Sequence, residues 1–120
     1  MKRVLVADDK ESSRELVRTV LERCGYEVME AADGAEAVEL ARANAPDLVL
    51  LDLHMPVLDG FGAIFLLRAE PRFAATPVVA LSASAMDVDR DRVMTAGFTG
   101  YITKPIRLAT LRGEVQRLIG

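Results

Sequence analysis

Three stretches of uninterrupted apolar residues constrain the fold of this chain more than any other feature of its sequence. They occupy residues 4–7, 48–51 and 78–81, and a polar residue follows each of them directly. A short run that is apolar at every position is typical of a strand buried on both faces, and such strands belong to parallel sheets covered by helices. The runs therefore predict an α/β domain.

Two weaker strand signals and five helical patterns complete the chain. Residues 26–31 alternate weakly and predict a strand near the sheet edge, and residues 100–103 predict a short last strand. Helices are expected at residues 12–24, 33–43, 61–69, 86–96 and 108–118. Strict alternation of strand and helix predicts a doubly wound, five-stranded parallel sheet with right-handed crossovers and helices on both faces.

Three local patterns predict details of these helices. Ser12 and Glu15 have the spacing of a capping box, which predicts that Ser12 caps the first helix. Cys24 lies on the apolar stripe of that helix, which favours core packing over a reactive thiol. Phe65 is expected to be buried by the third helix.

Composition and charge narrow the class of protein. The 120 residues fit one domain, residues 1–120, and the net charge of −3 argues against direct contact with nucleic acid. A single cysteine excludes an internal disulfide and a multi-cysteine metal site. The apolar runs are too short to cross a membrane, and the first residues do not resemble a leader peptide. We therefore expect a soluble, cytoplasmic domain.

Polar side chains follow four of the five predicted strands. Asp8 and Asp9 follow the first strand, Asp52 the third, Ser82 the fourth and Lys104 the fifth. Parallel strands end at one sheet edge, where α/β folds bind ligands, so these groups should meet there. Three acids in one cleft repel one another, and Mg²⁺ relieves that repulsion. With Lys104 and Ser82 as partners for oxygen atoms, the residues point to Mg²⁺-assisted formation of an aspartyl phosphate.

With these residues in place, the sequence resembles the receiver domain of two-component response regulators over essentially the whole chain. The matching positions are Asp8-Asp9, Asp52, Met55-Pro56, Asp59-Gly60, Ser82-Ala83, Tyr101 and Lys104-Pro105. The resemblance implies a flavodoxin-like fold with strand order 2-1-3-4-5.

The resemblance also implies how the acids act. Asp52 would accept a phosphoryl group from a histidine kinase or a histidine phosphotransfer protein. The domain would thereby catalyse its own phosphorylation and dephosphorylation. Mg²⁺ would be bound by Asp9, Asp52 and the backbone carbonyl of His54, with Asp8 acting directly or through water.

The remaining matching positions are implied to form a switch. Lys104 would pair with a phosphoryl oxygen, Ser82 would move to hydrogen-bond the phosphoryl group, and Tyr101 would swing inward behind it. The peptide bond between Lys104 and Pro105 is expected to be cis. The output surface, which contacts a downstream protein target, would lie on the fourth helix, fifth strand and fifth helix.

Three biological settings remain open from the sequence. The first is a stand-alone regulator of the chemotaxis or cell-division type, either a monomer or a phosphorylation-dependent dimer. The second is a receiver domain cut from a longer hybrid kinase or DNA-binding regulator. The third is a haloacid-dehalogenase-like phosphatase, although such enzymes carry a second acid two residues after the nucleophile, where this chain has His54.

Overall fold

The strands of this protein form one parallel sheet in the computed structural model, which describes residues 1–83 and 90–120. The strands are β1 (Arg3–Ala7), β2 (Glu27–Ala31), β3 (Leu48–Asp52), β4 (Val78–Ser82) and β5 (Gly100–Thr103). They lie in the order β2-β1-β3-β4-β5, and every neighbouring pair is parallel. The predicted fold class and strand order are therefore confirmed.

Helices cover both faces of the sheet. They are α1 (Glu11–Arg23), α2 (Gly34–Asn44), α3 (Gly60–Arg68), α4 (Arg90–Thr95) and α5 (Leu108–Ile119), with a short 3₁₀ turn at Pro71–Phe73. One core cluster joins the sheet to α2, α3 and α4, and a second joins its other face to α1 and α5. The predicted start of α4 at residue 86 lies outside the described residues.

The three apolar runs form the central strands, which are buried on both faces of the sheet. Every residue of β3 and β4 is buried, and in β1 only Arg3 is exposed. A strand with helices against both faces has no side for polar side chains, so its polar residues collect at its ends. This arrangement carries Asp8, Asp52 and Ser82 to one edge of the sheet.

Three local predictions about the helices are wrong. Helix α1 begins at Glu11 without a side-chain cap, so Ser12 lies inside its first turn. The same helix ends at Arg23, and Cys24 is exposed just beyond it. Phe65 is 74% exposed because α3 buries a different stripe of residues, namely Gly60, Ala63, Ile64 and Leu67.

One arginine connects the ends of several elements on the α3 side of the sheet. The guanidinium group of Arg68 donates hydrogen bonds to the carbonyls of Phe73 at 2.6 Å and Thr76 at 2.7 Å, and to that of Gly97 at 2.9–3.0 Å. Gly97 follows α4 with a φ of 107°, a conformation that glycine adopts without strain. The C-terminal end of α4 is therefore attached to α3.

We expect truncation of two α3 side chains to have very different effects on stability. Leu67→Ala should lower the free energy of unfolding by about 2–5 kcal/mol, because the removed side chain is only 1% exposed. Phe65→Ala, on the exposed face of the same helix, should change it by less than about 0.5 kcal/mol. Urea unfolding followed by circular dichroism measures both, and equal losses would contradict the burial pattern of α3.

Candidate functional site

The site is centred on Asp52, the last residue of β3. This residue is only 4% exposed, and it pairs in the sheet with Leu81 of β4. One carboxylate oxygen, Oδ1, accepts a hydrogen bond from the backbone N–H of His54 at 3.0 Å. The other oxygen, Oδ2, accepts one from Lys104 Nζ at 2.9 Å. Both oxygens are thus held in a defined orientation at the sheet edge.

Lys104 is shared between two buried acids. Its ammonium nitrogen lies 2.7 Å from Asp8 Oδ2 and 2.9 Å from Asp52 Oδ2. The backbone of Lys104 is fixed as well, because its N–H donates to the carbonyl of Ser82 at 2.6 Å. The ends of β1, β3, β4 and β5 therefore meet around one cation.

Three carboxylates gather beside this cation in an arrangement that fits a divalent metal. Asp8, Asp9 and Asp52 each offer one oxygen atom, and these atoms all lie within 4.8 Å of one another. Asp8 Oδ2 is buried and forms the ion pair with Lys104, but no hydrogen bond reaches it from the residues that the structure describes. Hard carboxylate oxygens grouped in this way are the ligands that Mg²⁺ prefers.

Burial and charge shift the titration of both central groups. Burial raises the pKa of the Asp52 carboxyl above its ordinary 3.8, and the charge of Asp8 adds to the rise, against the lowering effect of the bonds from His54 and Lys104. Burial works against the charge on Lys104, but its short contacts with Asp8 and Asp52 outweigh this and raise its pKa above 10.5. Two acids stabilise the charge on Lys104, whereas Asp52 shares this one cation with Asp8.

The loop after β3 packs closely against the phosphoacceptor candidate. A Cβ atom on Gly60 would lie 2.5 Å from the backbone oxygen of Asp52, so only glycine fits there. Asp59 accepts a hydrogen bond from the N–H of Gly62 at 2.8 Å and caps α3. Aspartate before a helical pattern is a common capping signal, so this cap could have been predicted from the sequence.

The other predicted residues occupy distinct positions around the cluster. Ser82 is 1% exposed at the end of β4 and pairs in the sheet with Thr103. Tyr101 is half-buried and packs against the core cluster on the α3 side. The His54 side chain is exposed, while its backbone contacts Asp52. The peptide bond between Lys104 and Pro105 is cis, as the resemblance implies.

Sequence reasoning missed one further side chain at this edge. Arg14 of α1 donates a hydrogen bond from Nη1 to the backbone carbonyl of Asp8 at 2.7 Å. No local pattern marks this arginine, because an arginine in the second turn of a helix is ordinary and its partner lies on the preceding strand exit.

Comparison with known proteins identifies the family. The model of the response regulator receiver domain family matches residues 4–116. This chain belongs to that family. The receiver domain is 33% identical over 119 residues to the polar-differentiation response regulator DivK of Brucella anthropi, a match that covers 99% of this chain and 97% of DivK.

Solved structures agree with the assignment. The Vibrio cholerae chemotaxis protein CheY4 superposes on this receiver domain with a TM-score of 0.93 and 34% identity, covering 99% of each chain. The receiver domain of the Pseudomonas aeruginosa sensor histidine kinase PA1611 gives a TM-score of 0.91 and 34% identity, covering 99% of this chain and 98% of the other. That structure has a magnesium ion coordinated in its active site cleft.

The family assignment confirms part of the functional prediction. As a response regulator receiver domain, the chain belongs to two-component signalling. The assignment favours the receiver interpretation over the haloacid-dehalogenase alternative. None of the helices in residues 1–83 and 90–120 has the length and apolar character needed to span a bilayer.

The raised pKa of Asp52 predicts how stability depends on pH. Because the carboxylate is less favourable in the folded than in the unfolded state, the contribution of Asp52 to the free energy of unfolding should fall as pH rises from 3.8 through the raised pKa. Asp52→Asn keeps the shape of the neutral acid and removes this titration. At acidic pH the free energy of unfolding of the variant should equal that of the parent, and near neutral pH it should be higher. Urea unfolding in buffer with a chelator measures both.

A control distinguishes this effect from a general loss of acidic charge. Glu39→Gln removes an exposed carboxylate on α2 and should leave the pH dependence of the parent unchanged. A gain in stability near neutral pH that is equal in both variants would contradict a specific contribution from Asp52.

Proposed function

We propose that this receiver domain accepts a phosphoryl group on Asp52 from a histidine kinase or a histidine phosphotransfer protein. The observation that carries the proposal is the buried Asp52 carboxylate, oriented through both oxygens and placed beside the Lys104 cation. A carboxylate in this position can act as a nucleophile toward phosphorus. In the transfer, an Asp52 oxygen forms the new P–O bond, the P–N bond of the phosphohistidine breaks, and the departing imidazole nitrogen takes up a proton.

Mg²⁺ would be held by Asp9, Asp52 and the backbone carbonyl of His54, with Asp8 bound directly or through water. The carboxylate oxygens of the three acids are close enough to share one ion, and among the described residues the buried Oδ2 atom of Asp8 has only its ion pair with Lys104. When bound, Mg²⁺ would neutralise charge on the phosphoryl oxygens. Lys104 would supply a second positive charge, already placed against Asp52.

Ser82 and Tyr101 would report the phosphorylation state to the output surface. Ser82 ends β4 next to Lys104, whose N–H donates to its carbonyl, and its hydroxyl would hydrogen-bond the added phosphoryl group. Tyr101 stands on the neighbouring strand and is half-buried, and it would move further inward once Ser82 has shifted. The surface formed by α4, β5 and α5 would then contact the downstream protein.

The phosphodonor would dock beside Lys104, between α1 and the loop after β5. A groove at this place is lined by Ser12, Ser13, Leu16, Lys104, Pro105 and Ile106. Leu16 is 37% exposed and, with Pro105 and Ile106, gives the groove an apolar part that could contact a partner helix. The groove borders the acid cluster, so a docked phosphohistidine could face Asp52.

Residues 1–120 are proposed to act as one domain whose output is protein contact. DivK and CheY4 are similar to this chain over almost their full lengths, whereas the PA1611 receiver comes from a sensor kinase. Output through protein contact is compatible with either setting.

Phosphorylation of Asp52 gives the direct test. Incubation with Mg²⁺ and a small acyl phosphate should add one phosphoryl group to the parent, because an oriented carboxylate and a cation are already in place. Asp52→Asn should remove the added mass, since an amide oxygen is a poor nucleophile. Intact-protein mass spectrometry measures both.

A matched control uses an acid at the opposite end of the same strand. Asp47 is exposed just before β3 and accepts a hydrogen bond from the N–H of Arg3, which asparagine can also accept. Asp47→Asn should be phosphorylated like the parent. Persistence of the added mass in Asp52→Asn would show that the phosphoacceptor is another residue.

Removal of an acid from the cluster should weaken the metal site. Asp9→Ala is expected to raise the Mg²⁺ dissociation constant by more than about tenfold, because loss of a ligand should cost at least as much as loss of a group that supports one. NMR titration of amide shifts with Mg²⁺ measures the affinity, with Asp47→Asn as the control. An unchanged affinity would remove Asp9 from the ligand set.

A further inference from the structure

One arginine connects the acid cluster to the edge strand of the sheet. Arg14 Nη1 donates to the backbone carbonyl of Asp8 at 2.7 Å, and Arg14 Nε lies 3.3 Å from Glu30 Oε1 on β2. Both side chains are largely shielded, at 17% exposure for Arg14 and 24% for Glu30. The guanidinium group therefore lies between α1, β2 and the exit of β1.

The contact is made where the backbone leaves the sheet. Strand β1 ends at Ala7, and the N–H of Asp8 still donates to Ala31 of β2 at 3.1 Å. Beyond this point the chain turns toward α1, and the N–H of Lys10 donates back to Asp8 Oδ1 at 2.9 Å. At the start of that turn, Arg14 supplies the hydrogen-bond donor for the backbone carbonyl of Asp8. Asp9 lies on the same turn.

We infer that Arg14 is a positioning residue for the metal site, holding the Asp8–Asp9 turn against the carboxylate of Asp52. The inference rests on the proposed function in taking Mg²⁺ as the ligand. Arg14 acts through the backbone of Asp8, which is one of the three clustered acids. Groups that orient metal ligands in this way commonly contribute about 10–100-fold to metal affinity.

The chain contains a close control for this arginine. Arg18, one turn later on α1, donates to Glu30 Oε2 at 2.7 Å and also pairs with Glu22. Both arginines contact Glu30. Among the described residues, however, Arg18 pairs with Glu30 and Glu22 and not with Asp8. If Arg14 were only one member of a helix-to-strand ion pair, the two arginines would behave alike.

The test compares Arg14→Met with Arg18→Met, since methionine keeps an unbranched apolar stem and a high helix propensity. In the metal-free protein, hydrogen exchange of the Lys10 amide should be faster in Arg14→Met and unchanged in Arg18→Met. In an NMR titration with Mg²⁺, Arg14→Met should raise the dissociation constant about tenfold and Arg18→Met less than about twofold. Urea unfolding of each variant reports stability separately.

A third variant covers the case in which Arg14→Met does not fold. Arg14→Lys keeps the positive charge, but its single ammonium group cannot bridge Asp8 and Glu30 as a guanidinium does. If both variants fold, the Mg²⁺ dissociation constant of Arg14→Lys should lie between those of the parent and Arg14→Met. If only Arg14→Lys folds, its dissociation constant should be higher than that of the parent.

Three outcomes would overturn the inference. Arg14→Met or Arg14→Lys with parental Mg²⁺ affinity and a lower urea midpoint would show that Arg14 only stabilises the fold. An equal loss of Mg²⁺ affinity in Arg18→Met would assign the effect to Glu30 or to general charge. A parent chain that binds no Mg²⁺ would overturn the proposed function, and this inference with it, whereas the first two outcomes leave the proposed function intact.

Discussion

The sharing of one ammonium group between two buried carboxylates is the interaction on which the site depends. Lys104 contacts both Asp8 and Asp52 within 3 Å, and both acids are almost fully buried. Without a cation, two buried acids this close would repel and one of them would take up a proton. The lysine can reach both because β5 continues the sheet beside β4 and its backbone is bonded to Ser82. The sheet order and the charge balance of the site are therefore linked.

One lysine does not fully compensate three acids, and this incomplete balance suits the proposed role of Asp52 as a phosphoacceptor. Burial still raises the pKa of Asp52, although Lys104 contacts both this acid and Asp8. A site of this kind gains when a divalent cation binds, because the cation supplies what the lysine cannot. Rigid support comes from outside the cluster, through the close packing of Gly60 and the contact of Arg14 with the Asp8 carbonyl.

Sequence patterns predicted the strands well and the helix surfaces less well. A continuous apolar run identifies a strand buried on both faces regardless of its rotation, so β1, β3 and β4 and their polar ends could be read directly. A helix stripe depends on its phase, and a shift of one residue exposes or buries a side chain. Cys24 is exposed because α1 ends at Arg23, and Phe65 is exposed because α3, which is apolar on nearly every side, buries only one stripe. The capping role of Asp59 was readable in principle, because aspartate commonly precedes a helix.

The identity of the chemical groups at the strand exits follows from the sequence, because each apolar run ends at a particular residue. The same pattern predicts that Asp8, Asp9, Asp52, Ser82 and Lys104 are neighbours at one edge of a parallel sheet. The contacts that these groups make with one another depend on the tertiary structure. Lys104 contacts two acids, and Arg14 donates a hydrogen bond to a backbone carbonyl. Both contacts depend on distances between elements, which no local sequence pattern encodes. Strand order and helix packing set those distances, and both result from burying the whole core at once.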